Sequence, residues 1–276
     1  MKVGIIGLGL MGASFGRTVK NKTNDSVFGV DKDSKVLLKA SLINCVDGEL
    51  NEDTIGEVDL LIVSVYSRSF LSAVSKYLPL MKEGATVIDF CGNKTEVCKK
   101  MKDLAKEYPH LNFFGGHPMA GREFSGIDHS TKTLFERASM LLVPINGDIF
   151  ICEKIKKYFL ELGFKEVIFT DYETHDRIIA FTSQLCHIVS NAYIKSETAK
   201  THHGYSAGSY RDLTRVARLN ADMWTELMFD NKKVLSEELK TLITNLKKYQ
   251  KALDSNDEKM LHDLLEEGNS LKLEID

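Results

Sequence analysis

The sequence predicts two domains, an α/β domain built on a mostly parallel sheet and an all-helical domain after it. Strand-like apolar runs alternate with helical patterns up to about residue 171, which is typical of a parallel sheet with helices on both faces. All four prolines precede residue 145, and beyond residue 174 the pattern is almost wholly helical. We therefore expect an α/β domain over residues 1–171 and a helical domain over residues 172–276.

The first strand runs into a glycine turn. Val and Ile dominate residues 3–6, and the spacing G-x-G-x-x-G follows at Gly7, Gly9 and Gly12. Gly7 permits the turn, Gly9 leaves room for a pyrophosphate, and Gly12 lets the next helix pack on the strand. The free N–H groups at the start of that helix favour an anion. We expect the cofactor to contact Gly7, Leu8, Gly9, Leu10, Met11 and Gly12.

Asp31 ends the second predicted strand, residues 27–30, and lies 19 residues beyond Gly12. A carboxylate at this point accepts hydrogen bonds from the ribose hydroxyls of the adenosine, and it repels a 2′-phosphate. The turn and the acid together predict a Rossmann domain that binds NAD rather than NADP. Lys32 is a feature against strict selection of NAD, and the turn alone also fits a flavodoxin-like domain without a dinucleotide.

The remaining strands are expected to complete a sheet with the core order 3-2-1-4-5-6. In such a sheet the ligand lies beyond the carboxyl ends of the strands, so the residues there are candidates for the site. We assign to the cofactor site Ser64, near the end of one predicted strand, and Asn93, just after another. The further predicted strands are residues 60–65, 85–90, 112–114, 140–143 and 167–169.

The helical domain contains two apolar patterns. The first, with a polar stripe of Gln184, His187 and Asn191 on the same helix, consists of Ile178, Phe181, Leu185, Ile188, Ala192 and Tyr193. The second has the spacing of a coiled-coil seam and consists of Leu235, Leu239, Leu242, Leu246, Tyr249 and Leu253. Such a seam fits either packing within the domain or a contact between subunits, and we expect a homodimer through the C-terminal helices.

Composition excludes several classes of partner. The net charge of -3 argues against nucleic acid or an anionic membrane, and no apolar run reaches the roughly 18 residues of a membrane span. The five cysteines include no C-x-x-C pair, so we expect reduced thiols and no metal site. The first strand leaves no room for a signal peptide. These features predict a cytoplasmic protein with a small-molecule substrate.

A histidine follows the predicted strand at residues 112–114, in a loop that reads GGHPMAGREFSG. Pro118 holds the preceding His117 extended. An imidazole beyond the carboxyl end of a strand can reach the nicotinamide and act as a general base near neutral pH. On the residues alone, His117 equally fits a histidine that hydrogen-bonds its own loop.

Three segments resemble the prephenate dehydrogenase family, which includes arogenate and cyclohexadienyl dehydrogenases of tyrosine biosynthesis. They read HPMAGxExSG, YRDLTRVA and DMW, and they occur in the family's order. The resemblance implies an NAD-dependent oxidative decarboxylation of prephenate, with loss of a hydride from the ring carbon that bears the hydroxyl. It also implies that His117 is the catalytic base and that Arg215 binds a substrate carboxylate through two parallel bonds.

The resemblance extends to a substrate pocket. His187 matches a family histidine that faces this pocket and Trp224 matches a pocket tryptophan, although both also fit core positions. Arg122 departs from the uncharged residue of several relatives and could recognise a substrate carboxylate. Glu123 could form a local salt bridge or sense the amino group of arogenate.

Two further departures concern the strand end at residues 85–90 and the first helix of the second domain. DFCGNK replaces the frequent D-x-G-S-V-K, so Gly92 stands where the family serine orients the catalytic histidine. Asn93 and Lys94 are the two candidates for a donor in its place. Gln184 stands where many members carry a histidine.

Three alternatives to a prephenate dehydrogenase stay open. The first is an arogenate or cyclohexadienyl dehydrogenase, whose substrate differs at one end. A β-hydroxyacid dehydrogenase would need a catalytic lysine on the helix after the boundary, where the sequence has none before Lys195. A noncatalytic NAD(H)-sensing protein would explain Gly92 but not the retention of His117 and Arg215.

Overall fold

The computed structural model describes residues 1–122 and 124–275. The first domain contains an eight-stranded sheet in the order β3-β2-β1-β4-β5-β6-β7-β8. Strands β6 and β7 run antiparallel, and the other neighbouring pairs are parallel. The strands are β1 (Lys2–Ile6), β2 (Ser26–Val30), β3 (Gly48–Glu49), β4 (Leu60–Val63), β5 (Thr86–Asp89), β6 (Asn112–Pro118), β7 (Ser139–Pro144) and β8 (Glu166–Phe169).

Helices cover both faces of this sheet and then form the second domain. Those of the first domain are α1 (Leu10–Lys22), α2 (Ser34–Leu42), α3 (Phe70–Val74), α4 (Thr95–Glu107) and α5 (Ile149–Glu161). Those of the second are α6 (Tyr172–Ile179), α7 (Cys186–Tyr193), α8 (Gly208–Thr214), α9 (Ala221–Asp230), α10 (Lys232–Asp254) and α11 (Glu258–Ile275). A π-helical segment, Ala180–Leu185, joins α6 to α7. The predicted α/β domain followed by a helical domain is thus confirmed.

The sequence prediction missed β3, and this changes the position of the strands after it. With the predicted strands alone, residues 60–65 would be third and would lie beside β2. In the structure the two-residue strand β3 takes that place, and β4 pairs with β1 instead. A strand this short carries no apolar run or alternation from which it could be recognised.

The two faces of the sheet bury separate apolar clusters. Ile5, Ile62 and Phe114 pack on one face with residues of α1 and α5, whereas Leu61 and Phe113 pack on the other with residues of α3 and α4. Neighbouring residues of one strand thus enter opposite clusters, as the two-residue repeat of a strand requires. With both faces covered, the ends of the strands are the surface left for a ligand.

The predicted apolar face of the first helix in the second domain is only partly buried. Ile178 and Phe181 are 50% and 59% exposed in the single chain, while Gln184 from the predicted polar stripe is buried. Phe181 and Gln184 lie within the π-helical segment Ala180–Leu185, whose wider turns displace side chains from the positions that an α-helix would give them. This segment turns Gln184 toward the first domain, as described below.

The leucines of the predicted coiled-coil seam also differ in burial. Leu235 is buried with Leu185 and Ala180, but Leu246 and Leu253 are 57% and 62% exposed. In the part of the chain that the structure describes, no helix combines the length and the apolar character that crossing a membrane requires. The boundary at residue 171 stays a prediction.

Candidate active site

The glycine turn lies where the strand order reverses, between β1 and β4. Gly7 has a φ of +89°, and a β-carbon there would lie 2.4 Å from the carbonyl oxygen of Ser64. A β-carbon on Gly12 would lie 1.9 Å from the carbonyl oxygen of Gly7, whereas one on Gly9 would meet open space. A side chain at Gly7 or Gly12 would therefore collide with the backbone of the turn, whereas the space beside Gly9 is open. This open space fits the approach of a pyrophosphate.

The first turn of α1 presents backbone N–H groups to this open side. Gly9 is the N-cap of the helix and offers no side-chain cap, so the amides of Leu10, Met11 and Gly12 have no partner within the helix. Leu8 behaves differently, because its side chain is buried in the core and its N–H donates to Asp31 Oδ2 at 2.8 Å. Leu8 therefore shapes the turn rather than exposing a side chain to a ligand.

Asp31 links the end of β2 to the turn. Its Oδ1 accepts from the N–H of Asp33 at 3.0 Å, and its Oδ2 accepts from Leu8. A carboxylate has about four acceptor positions, so Asp31 retains capacity for ribose hydroxyls. Ser64 follows β4, and its N–H donates to the carbonyl of Ile6 at 2.7 Å. The turn, the helix start and the acid together fit the adenosine and pyrophosphate of NAD.

His117 lies in strand β6 and not in the loop in which the sequence analysis placed it. It is extended, as Pro118 predicts, and pairs with Leu141 of the antiparallel strand β7. Its Nδ1 is 2.9 Å from Nε2 of His175 on α6. The half-buried imidazole is thus held by the sheet on one side and by the second domain on the other.

Asp176 completes a chain of hydrogen bonds from His117. Its Oδ1 is 2.8 Å from Nδ1 of His175, and its carboxylate also accepts from the N–H groups of Lys94 at 2.7 Å and Thr95 at 2.8 Å. Both acceptor contacts with backbone N–H groups lie at the start of α4, where the helix dipole favours negative charge. His175 and Asp176 are 1% and 2% exposed.

These contacts determine the protonation states of His117, His175 and Asp176. Burial, together with the neighbouring His175 and Lys94, holds the pKa of His117 well below its usual 6.5. Burial also lowers the pKa of His175, despite its bond to Asp176. Burial alone would raise the pKa of Asp176, but its hydrogen bonds from His175, Thr95 and Lys94 outweigh that effect and lower it. At neutral pH the imidazoles of His117 and His175 are therefore both neutral, and the carboxylate of Asp176 is ionised.

Lys94 supports the backbone beside His117. Its fully buried ammonium pairs with Asp89 and donates to the carbonyl of Gly116 at 2.7 Å. Burial opposes the charge of Lys94, but the carboxylate of Asp89 more than compensates and raises the pKa. Of the two donors considered in place of the family serine, Lys94 thus acts on the residue before His117 and not on the imidazole.

The side chain of Asn93 is engaged by the second domain, and a contact of this residue with the cofactor stays a prediction. Its amide is 2% exposed. The Oδ1 atom accepts from Nε2 of Gln184 at 2.8 Å, and Nδ2 donates to the carbonyl of Leu227 at 2.6 Å. Asn231 donates to Oε1 of Gln184 at 3.0 Å. The amides of Asn93, Gln184 and Asn231 form a continuous contact between the two domains, which we call the amide bridge.

His187 and Trp224 lie together in the second domain. Their rings stack with centroids 3.8 Å apart and an angle of 28°. Nδ1 of His187 is 3.0 Å from the carbonyl of Ser183, which leaves Nε2 as an acceptor. Burial lowers the pKa of His187 and the nearby charge of Arg215 lowers it further. Three residues that the resemblance assigns to the substrate are therefore neighbours.

Asn191, which belongs to the same predicted polar stripe as His187, donates from Nδ2 to the carbonyl of Ala217 at 3.3 Å. Arg122 is exposed and donates to the carbonyl of His129 at 3.3 Å, within its own loop. Its role toward a substrate stays a prediction. Glu123 lies outside the described residues.

Sequence reasoning missed His175 and Asp176. Their signal is an adjacent His-Asp pair in the first turns of the helix that begins the second domain. Nothing in the local pattern shows that this pair meets His117, since 58 residues separate the two histidines along the chain. Only the packing of α6 against the start of α4 and the end of β6 brings them together.

Comparison with known proteins gives the family. Residues 15–168 match the nucleotide-binding domain of prephenate dehydrogenase, and residues 171–267 match its dimerization domain. The chain belongs to the prephenate dehydrogenase family. The resemblance found in the sequence is thereby confirmed, as is a nucleotide-binding N-terminal domain. The protein is an oxidoreductase of this family.

Individual relatives agree with this assignment. A cyclohexadienyl dehydrogenase of Zymomonas mobilis is 30% identical, over 99% of this chain and 95% of that protein. A prephenate dehydrogenase of Lactococcus lactis is 26% identical, over 98% and 76%. The crystal structure of A. aeolicus prephenate dehydrogenase with hydroxyphenyl propionate and NAD+ has a TM-score of 0.86 at 24% identity, over 100% and 98%, and shares the fold.

Proposed function

We propose that this member of the family is an NAD-dependent prephenate dehydrogenase, which converts prephenate to 4-hydroxyphenylpyruvate and carbon dioxide. The observation that carries the proposal is His117, a neutral imidazole held by His175 near the carboxyl end of β6, at the same edge of the sheet as the glycine turn that follows β1. A base in this state can accept a proton at neutral pH.

The cofactor proposed for the site is NAD. The chemistry that NAD supplies when bound is the acceptance of a hydride. Gly9 leaves space for the pyrophosphate, the N–H groups of Leu10, Met11 and Gly12 favour its charge, and Asp31 accepts from the ribose. The negative charge of Asp31 opposes a 2′-phosphate, so NADP is expected to be the poorer cosubstrate.

His117 handles the proton of the substrate hydroxyl. It accepts this proton as the ring carbon loses its hydride and the carbonyl develops. The electron pair of the bond to the departing carboxyl group then makes the ring aromatic, and the oxygen that was the carbonyl regains a proton from His117. Prephenate therefore yields the phenol, carbon dioxide and one hydride, with no net proton left on the protein.

Arg215, His187 and Trp224 supply the substrate side of the pocket. Arg215 can bind a carboxylate of prephenate through two parallel charge-assisted bonds. His187 retains an unprotonated Nε2, because Nδ1 faces the carbonyl of Ser183. Trp224 offers an apolar surface against His187, suited to a six-membered ring.

We further propose that the chain forms a homodimer through its C-terminal helices. Residues 171–267 match the dimerization domain of the family. Apolar side chains of this region stay exposed in the single chain, including Phe181, Leu246 and Leu253. Exposed apolar residues in such numbers are typical of a surface that is covered in an assembly.

A second candidate is the oxidation of arogenate as well as prephenate. The relative at 30% identity is named a cyclohexadienyl dehydrogenase. Prephenate and arogenate share the ring, the hydroxyl and the ring carboxylate. His117 would serve both substrates in the same way, so the choice depends on contacts at the other end of the molecule.

The test is to supply the purified protein with prephenate or arogenate, each with NAD or NADP, and to follow the absorbance of the reduced cofactor. We expect prephenate with NAD to give the highest kcat/KM. The control is His117→Asn, which should lower kcat by about 10²–10⁴-fold, the range for loss of a general base, with little change in KM. Undiminished turnover by this variant, or no turnover of prephenate by the wild type, would overturn the proposal.

A further inference from the structure

His175 has a contact that the family pattern leaves unassigned. The resemblance gives the orientation of the catalytic histidine to a serine, and here Gly92 stands in its place. The space beside Gly92 is taken by Leu227, since a β-carbon on Gly92 would lie 2.8 Å from Leu227 Cδ2. In the described part of the chain, the side-chain hydrogen bond of the His117 imidazole is the one with His175.

We propose that His175 is the positioning residue for His117, and that it holds the imidazole of His117 in the tautomer with the proton on Nδ1 and the lone pair on Nε2. The proposal rests on the proposed role of His117 as the base. It assigns to an imidazole of the second domain the task that the family pattern gives to a serine of the first.

The tautomer of His117 follows from Asp176, the acceptor at the end of this series of hydrogen bonds. Asp176 is fixed by the backbone N–H groups of Lys94 and Thr95, and an ionised carboxylate can only accept. The proton in its contact with His175 therefore lies on Nδ1 of His175. A neutral imidazole has one N–H, so Nε2 of His175 is an acceptor.

The contact between the two imidazoles then has one possible donor. Nε2 of His175 accepts, so Nδ1 of His117, 2.9 Å away, must carry the proton. The lone pair of a neutral His117 consequently lies on Nε2, which is the nitrogen left for the substrate hydroxyl. The rings are 5.1 Å apart between centroids and inclined by 51°, so the pair is joined by this bond rather than by stacking.

The series of hydrogen bonds from His117 through His175 ends at Asp176, inside the protein. His175 and Asp176 are almost completely buried, and the charged groups beside them are Lys94 and its partner Asp89. A proton taken up by His117 therefore has no route to solvent along His175. This fits a reaction in which the same imidazole returns the proton to the product oxygen, and it gives His175 an orienting role.

Two substitutions separate orientation from bulk. The ε atoms of glutamine occupy nearly the position of Nε2 of histidine, so His175→Gln keeps an acceptor for His117. The δ atoms of asparagine correspond to Nδ1, so His175→Asn keeps only the contact with Asp176. Both variants replace the ring by a buried amide, which makes each the control for the other.

We expect His175→Asn to lower kcat by about 100-fold, since enforcing the wrong tautomer of a catalytic histidine can cost up to about 10⁴-fold. The KM for prephenate should stay within about twofold, because His175 does not touch the substrate in this scheme. His175→Gln should recover most of the lost kcat. Equal kcat values for the wild type and His175→Asn, with NAD binding intact, would refute a positioning role.

The tautomer itself can be read by nitrogen-15 NMR of the histidine rings, with His117→Asn used to assign the signal. The wild type should show His117 protonated on Nδ1, and His175→Asn should show a mixture. A wild-type His117 protonated on Nε2 would overturn the proposal even if both variants fail to fold. This measurement needs no turnover. It therefore stands apart from the activity assay, in which a wild type inactive on prephenate and arogenate would refute the proposed function alone.

Discussion

Leu227 of α9 occupies the space next to Gly92, with Cδ2 only 2.8 Å from the position that a β-carbon would take. The two residues belong to different domains. A side chain at residue 92 would therefore require Leu227 of α9 to shift, so this glycine belongs to the packing between the two domains.

Restoring the family serine should accordingly disturb the contact between domains. We expect Gly92→Ser to lower the free energy of unfolding by about 1–3 kcal/mol, the usual cost of overpacking. In a Leu227→Ala background the same substitution should cost much less, because the space is free. Urea unfolding of the four proteins of this double-mutant cycle measures the coupling. An equal cost in both backgrounds would show that the two residues do not compete for space.

The acid limb of the activity profile should lie below pH 6.5. A base acts in its unprotonated form, and burial with the neighbouring His175 and Lys94 lowers the pKa of His117 well below 6.5. We therefore expect kcat/KM for prephenate to stay level as the pH falls through 6.5 and to decline only at lower pH. The measurement is kcat/KM against pH for the free enzyme. A half-maximal value at or above pH 6.5 would contradict it.

Lys94 should be essential for stability. Lys94→Met leaves the buried carboxylate of Asp89 without its partner, and breaking a buried ion pair costs about 3–5 kcal/mol. The matched control is Lys99→Met on α4, the helix that Lys94 immediately precedes. Lys99 is exposed and pairs with Glu96, so we expect this control to cost less than about 1 kcal/mol. Chemical denaturation of both variants tests this. Similar stabilities would argue that Asp89 finds other partners.

Arg215 should contribute chiefly to binding of the substrate. Arg215→Ala is expected to weaken the apparent binding of prephenate by roughly 1.5–3 kcal/mol, the range for a hydrogen bond to a charged group. KM should rise and kcat should change little. Arg177→Ala removes an exposed arginine of α6 in the same domain and should leave KM unaltered. If the two variants behave alike, Arg215 does not bind the carboxylate.

The parts of the site that are encoded locally could be predicted from the sequence. Gly7, Gly12 and Asp31 belong to one β-α-β unit, in which spacing along the chain fixes spacing in the structure. Pro118 likewise predicts the extended backbone of His117. The resemblance added Arg215, His187 and Trp224, and these three residues are neighbours in the structure.

The contacts across the domains could not be predicted in the same way. Asn93 is predicted to contact the cofactor because it follows a strand, but nothing in the sequence indicates its hydrogen bonds to α9 and the π-helical segment. His175 is polar and buried, and its partner His117 lies 58 residues earlier in the chain. Such relations depend on how two domains pack, for which a single sequence carries no periodic signal.

The amide bridge has a consequence for experiments on this protein. Its three side chains are carboxamides, which neither gain nor lose a proton over the range in which enzymes are assayed. A histidine at residue 184 would introduce a titrating group at this contact between the domains. Here the amide bridge keeps the same electrostatic character from mildly acidic to mildly alkaline buffer, so a change of rate with acidity does not arise from titration at these three amides.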